Sequence, residues 1–163
     1  MQTALPIYLH DHLAGAVFGV ELVKALEEEP GAAELGQLAC AWKAEILADR
    51  ATLLDIAGRL GAESSHVKEM ISWIAERATR LKLRRQNESE LGTFETLETL
   101  ALGIMGKAKL WQTLQIAAAT DARLAGIDFV RLEQRAMAQH DAVEAYRRRL
   151  ASVVFAPATT GER

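Results

Sequence analysis

The stretch "YLHDHLAGAVFGVEL" places His10, Asp11 and His12 in consecutive positions at the head of the first apolar segment. Imidazole and carboxylate at close quarters could ligate a metal. On a helix, however, positions i and i+2 point about 200° apart, so the two rings cannot chelate one ion from regular helix. If the chain is still a loop at His10, that objection weakens. The reading adopted is polar trim on a helix: His12 beside the core stripe, one turn before Ala16, and His10 pointing elsewhere. Other groups that could do chemistry sit singly. Glu45, Asp49, Glu98 and His140 fall on or near apolar stripes of later segments, and Gln139 interrupts the last one. His66 opens a connecting segment and is expected to be solvated, whereas His140, beside Met137 and Glu144, reads as a partly buried structural histidine.

Four long segments must position these groups, each with the 3.6-residue period of an amphipathic helix. The first covers roughly 7–28 (Leu9, Leu13, Ala16, Val20, Val23) and the second roughly 32–60 (Leu35, Leu38, Trp42, Ile46, Leu53, Ile56, Leu60), stopped by Gly61. The third covers roughly 93–119 (Phe94, Leu97, Ala101, Ile104, Ala108, Trp111), with Thr93 as the expected N-cap. The fourth, roughly 128–155, has Asp128 as N-cap and a stripe of Phe129, Leu132, Ala136, Val143, Tyr146, Leu150 and Val153. No segment alternates with period two, so the fold class is all-α. Short links around Pro30–Gly31 and Gly126 join helices 1–2 and 3–4 into antiparallel hairpins. About 30 residues, 62–92, separate helices 2 and 3 and contain an amphipathic piece, "HVKEMISWIAERATRLKL". Two hairpins and one long crossover with a short helix describe a four-helix bundle whose second and third helices run parallel. The expected domain is 1–156, followed by a flexible tail, 157–163, whose "PATTGER" has no apolar face to dock.

This layout resembles the ferritin-like superfamily, which includes rubrerythrins and bacterioferritins. "YLHDHLAGA", the Gly-Lys-Trp spacing in "LGIMGKAKLW" and the charged fourth helix are similar to a bacterial branch of it that lacks the di-iron ligand motifs. Di-iron members carry one Glu on each of two helices and Glu-x-x-His on each of the other two. Here Glu45 is followed at that spacing by Ala48, Glu133 by Ala136, and Ala136/Gln139 stands where Glu and His would be expected. Ala16 takes the position of the first-helix Glu. The resemblance therefore implies a degenerate metal site and no cofactor. The expected role is a non-catalytic binding or assembly module, with no catalytic residue assigned. The alternative is a divergent metal-binding oxidoreductase built from His12, Glu45, Asp49, Glu98 and His140. In the first reading Arg50, beside Asp49, supplies the missing positive charge by pairing with Glu98 or another inward carboxylate, in a structural polar cluster of Arg50, Glu98 and Gln139.

Other patterns exclude more than they assign. "GIMGKA" fails the P-loop pattern, because Ala108 follows Lys107 where Ser or Thr is needed, and it falls mid-helix. Gly103 and Gly106, like Gly15 and Gly19, are expected to let another helix approach closely. "RATRLKLRR" (Arg77, Arg80, Lys82, Arg84, Arg85) and Arg147–Arg149 are cationic, but the net charge is -3, so nucleic acid is not an expected partner. Trp42, Trp73 and Trp111 read as core, and Cys40, the only cysteine, as buried and unreactive. A single cysteine permits no internal disulfide and suits a reducing compartment. The N-terminus shows no signal-peptide pattern, and the longest uncharged run is 12 residues, against about 20 for a bilayer span. A cytoplasmic protein is expected. Surplus apolar residues around helix 1 (Ile7, Val17, Phe18, Leu22) point to a homodimer.

Overall fold

A computed structural model of the chain describes residues 4–62, 76 and 89–157. Among them are four long helices and no strand: α1 (Ala4–Glu27), α2 (Ala33–Arg59), α3 (Ser89–Ala118) and α4 (Phe129–Val154). A 3₁₀ turn, Ala122–Leu124, lies between α3 and α4. The crossover helix, Trp73, His66, the "RATRLKLRR" run and residues 158–163 of the tail lie outside the described residues.

The helix ends follow from local chemistry. Pro6 sits in the first turn of α1, where a missing N–H breaks no intrahelical bond. Helix α2 ends in a Schellman motif: Gly61 takes φ 67°, its N–H bonds the Gly58 carbonyl at 3.1 Å, and Ala62 N–H bonds the Ala57 carbonyl at 2.9 Å. Asp128 caps α4, its side chain accepting from Arg131 N–H at 2.9 Å. Thr93 is not a cap. Helix α3 begins a turn earlier, at Ser89, and Thr93 lies inside it and is buried. The apolar stripe that set the expected start marks where α3 meets the core, not where its backbone bonds begin.

Helices α1 and α2 pack as a hairpin, as do α3 and α4, and α1 also lies against α3. Ion pairs Arg149–Glu34 and Arg135–Asp49 link α4 to α2 in opposite sequence order, so these two helices are antiparallel. The four helices thus enclose one core, with α2 and α3 running the same way. Leu9, Val23, Leu26, Ile56, Leu97, Leu114, Ala136 and Val143 are among its fully buried members. Full burial of a Leu, Ile or Val contributes roughly 1.5–3 kcal/mol each. Trp42 and Trp111 are core, as expected. Three side chains are not where the pattern put them. Cys40 is exposed, Val153 is exposed near the end of α4, and Leu22, read as surplus for a dimer, is buried.

Candidate functional site

Polar side chains inside the bundle stand out because the rest of the core is apolar. Asp49 and Gln139 are each 3% exposed. Asp49 follows Ile46 by three positions and precedes Leu53 by four, so α2 turns it inward with its apolar stripe. Lys107 occupies the same kind of position on α3, between Ile104 and Trp111. Its ammonium donates to Asp49 Oδ2 at 2.5 Å and to Gln139 Oε1 at 2.6 Å. Gln139 Nε2 donates onward to Glu45 Oε2 at 2.7 Å and to the Trp42 carbonyl at 3.3 Å. Arg135, one turn before Gln139 on α4, completes the chain by pairing with the other Asp49 oxygen. Three helices therefore meet through Glu45, Gln139, Lys107, Asp49 and Arg135.

Electrostatics here oppose each other. Burial pushes the Lys107 ammonium below its ordinary range, and the adjacent Asp49 carboxylate works against that. A buried charge is tolerated only when paired and hydrogen-bonded. Lys107, with its side chain 15% exposed, makes both of its bonds inside the cluster.

Beside this cluster lies a cavity of about 130 Å³ between α1, α2 and α3. Asp49 and Lys107 form part of its wall, together with His12, Arg50 and Trp111. Two N–H groups of these wall residues have no acceptor among the described residues: Arg50 Nε and Trp111 Nε1. An unsatisfied buried donor costs about 1–3 kcal/mol, so each invites a partner. Arg135 Nε likewise has no acceptor among the described residues, but it does not line the cavity. His12 packs edge-on against Tyr8 with ring centroids 4.5 Å apart, and burial lowers its pKa despite the neighbouring Asp11.

Gly15, Ala16, Gly19 and Gly103 line the same cavity. A Cβ added at Gly15, Gly103 or Gly106 would meet nothing within 4 Å, and one at Gly19 would make only an ordinary contact with Ile46 at 3.9 Å. Among the described residues these glycines therefore seat no neighbouring helix. They leave space instead, and Gly15 and Gly103 are exposed at its edge.

The structure brings together only part of the residue set expected from the sequence. Glu45, Asp49 and Gln139 converge, and Ala136 is buried beside them. Glu98 does not join. It is half exposed and faces Arg147 at 3.6 Å. Arg50 makes no pair with Glu98 or Asp49 among the described residues. Neighbouring positions on a helix diverge by about 100°, and the cation for Asp49 comes from α3 and α4 instead. His140 lies 3.3 Å from Asp141 at the bundle's edge, and His10 donates from Nε2 to the Ala62 carbonyl at 2.5 Å. Both histidines of the opening motif lie within α1, so they diverge and share no ligand position. Among the described residues no three His, Cys, Asp or Glu side chains form a group able to hold a metal ion.

Sequence reading missed Lys107, Arg135 and the Trp111 N–H. The available signal was a lysine on the core stripe, three positions after Ile104 and four before Trp111. "GIMGKA" does lie mid-helix, in α3. The cations of "YRRRL" are neutralised locally, Arg147 and Arg148 by Glu144 and Arg149 by Glu34. Those bonds pull the Glu144 carboxyl down to about 2, with Arg147 the largest contributor. No described helix is long and apolar enough to cross a membrane. Comparison with protein-family models, with curated proteins and with solved structures yields no match to this chain.

Proposed function

We propose that the chain is a ferritin-like bundle in which an internal ion pair stands where metal-binding relatives hold metal, and that it acts as a non-catalytic binding module. The observation that carries this reading is Lys107. Its ammonium is bonded inside the bundle to Asp49 at 2.5 Å and to Gln139 at 2.6 Å, next to the Ala136/Gln139 positions expected to carry Glu and His. A divalent cation approaching Asp49 would have to displace both Lys107 and Arg135, leaving two cations without their partner. The two hairpins and the parallel α2 and α3 are consistent with the ferritin-like layout.

The test is elemental analysis of protein purified without chelators. Iron, manganese and zinc well below one per chain are expected. One or two equivalents of any of them would favour the divergent oxidoreductase instead. The reading includes a cytoplasmic homodimer. Exposed Leu47 and Leu54, two turns apart on α2, support self-association, and the exposed Cys40 thiol suits a reducing compartment.

A further inference from the structure

The ion pair accounts for Asp49, Lys107 and Gln139 but not for the cavity beside them. The cavity measures about 130 Å³, and an apolar cavity of about 150 Å³ is large enough to take up benzene. Phe18, Leu22, Leu53, Leu100, Ile104 and Leu110 supply an apolar wall. Against this wall stand the two donors without acceptors, Arg50 Nε and Trp111 Nε1. Trp111 is 1% exposed and both nitrogens are buried, so an acceptor in the cavity reaches them through a small shift of the surrounding side chains.

The charges facing the cavity define what fits. Asp49 is already held by Lys107 and Arg135, which leaves Arg50 as the wall's uncommitted cation among the described residues. Burial lowers the pKa of His12, which keeps its ring largely neutral at physiological pH. An anionic head with a small apolar body would satisfy both donors and fill the space. A guanidinium suits a carboxylate because it stays charged and offers several donors in one plane. Entry lies past Gly15 and Gly103, where the exposed backbone leaves room that a side chain would take.

We propose that the cavity between α1, α2 and α3 binds a small organic carboxylate, its single ring or short branched chain lying among the apolar side chains and its head received by Arg50 and the Trp111 N–H. The inference rests on the binding-module reading, in which the interior is held by Lys107.

Benzoate titrated into the full-length chain tests this, followed by calorimetry and by the indole ¹H–¹⁵N resonances, with that of Trp111 assigned through Trp111→Phe. Saturable one-to-one binding that moves the Trp111 resonance is expected. Arg50→Met should weaken benzoate about tenfold or more. Gly103→Leu, which crowds the mouth without touching either donor, should weaken it without lowering the unfolding midpoint. Benzamide binding as tightly as benzoate would overturn anion recognition. No shift of the Trp111 resonance at tens of millimolar benzoate would show that water alone serves these donors. Binding indifferent to Arg50→Met and Gly103→Leu would place it elsewhere, which also overturns the proposal. Metal content is measured on the same preparation. Stoichiometric metal with benzoate bound at Arg50 would overturn the ion-pair reading alone, and metal-free protein that ignores benzoate would overturn this inference alone.

Discussion

Replacing Gly103 by alanine should stabilise the protein. The residue lies within α3, far from both ends, and is exposed. Glycine in a helix interior is less favourable than alanine by about 0.8–1.0 kcal/mol, because its backbone loses more freedom on folding. That gain is fully realised only where the new methyl group meets no obstacle, and here it would meet nothing within 4 Å. Gly106, one turn on, has the same free space, so the pair together should contribute about 1–2 kcal/mol. Gly36 is the internal control. Its Cβ would lie 3.2 Å from the Glu27 carbonyl oxygen at the end of α1, a contact that backbone cannot easily yield. Urea unfolding of Gly103→Ala, Gly106→Ala and Gly36→Ala should therefore show gains for the first two and none for the third. For a chain of this size, 1 kcal/mol corresponds to about 2–4 °C in Tm. A loss of stability in Gly103→Ala would refute the reasoning. It would mean that another element or a second copy fills this face, and that the cavity has no open mouth there.

Two further outcomes follow from local chemistry. Burial lowers the His12 pKa below its ordinary 6.5, so the unfolded chain binds more protons between the folded value and 6.5. Stability should therefore fall as pH drops below about 6.5, by no more than roughly 1.4 kcal/mol per pH unit from this group. His12→Gln should remove that share of the slope, and identical pH profiles for the two proteins would exclude it. Asp128→Ala should cost about 1 kcal/mol in equilibrium unfolding, the usual worth of an N-cap, and no measurable loss would mean the Arg131 N–H finds another acceptor.

The helices were legible because burial of one face imposes a period that any single segment displays. Their inner ends were not, since a backbone turn can extend past the core stripe, as α3 does before Thr93. Asp49 and Gln139 announced themselves as polar groups on apolar stripes, and both are buried. Their partners did not, because Lys107 and Arg135 reach Asp49 from other helices, 58 and 86 residues away in the chain. The cation expected for the inward carboxylates was Arg50, yet a helix sends neighbouring side chains in different directions, and Asp49 faces Lys107 and Arg135 instead. Glycine spacing was ambiguous for a related reason. A small residue on a helix face either admits a neighbour or leaves a gap, and only the packing of the other helices decides which. Cys40 misled through its apolar neighbours in "LACAW", since Ala39 and Trp42 face the core while Cys40 between them faces outward.

The coupling between Asp49 and Lys107 bears most directly on whether an internal ion pair organises this bundle. Asp49→Asn, Lys107→Met and the double variant form a double-mutant cycle, read by urea unfolding at neutral pH. Breaking a buried pair costs about 3–5 kcal/mol, because the remaining charge is left without its partner. Arg135, whose side chain is 39% exposed, still reaches Asp49 when Lys107 is gone, so the lower end of that range applies to Lys107→Met. A coupling energy of about 2 kcal/mol or more is expected, with the double variant much less destabilised than the two single losses combined. A coupling below about 0.5 kcal/mol, the value of a solvated surface pair, would contradict the account.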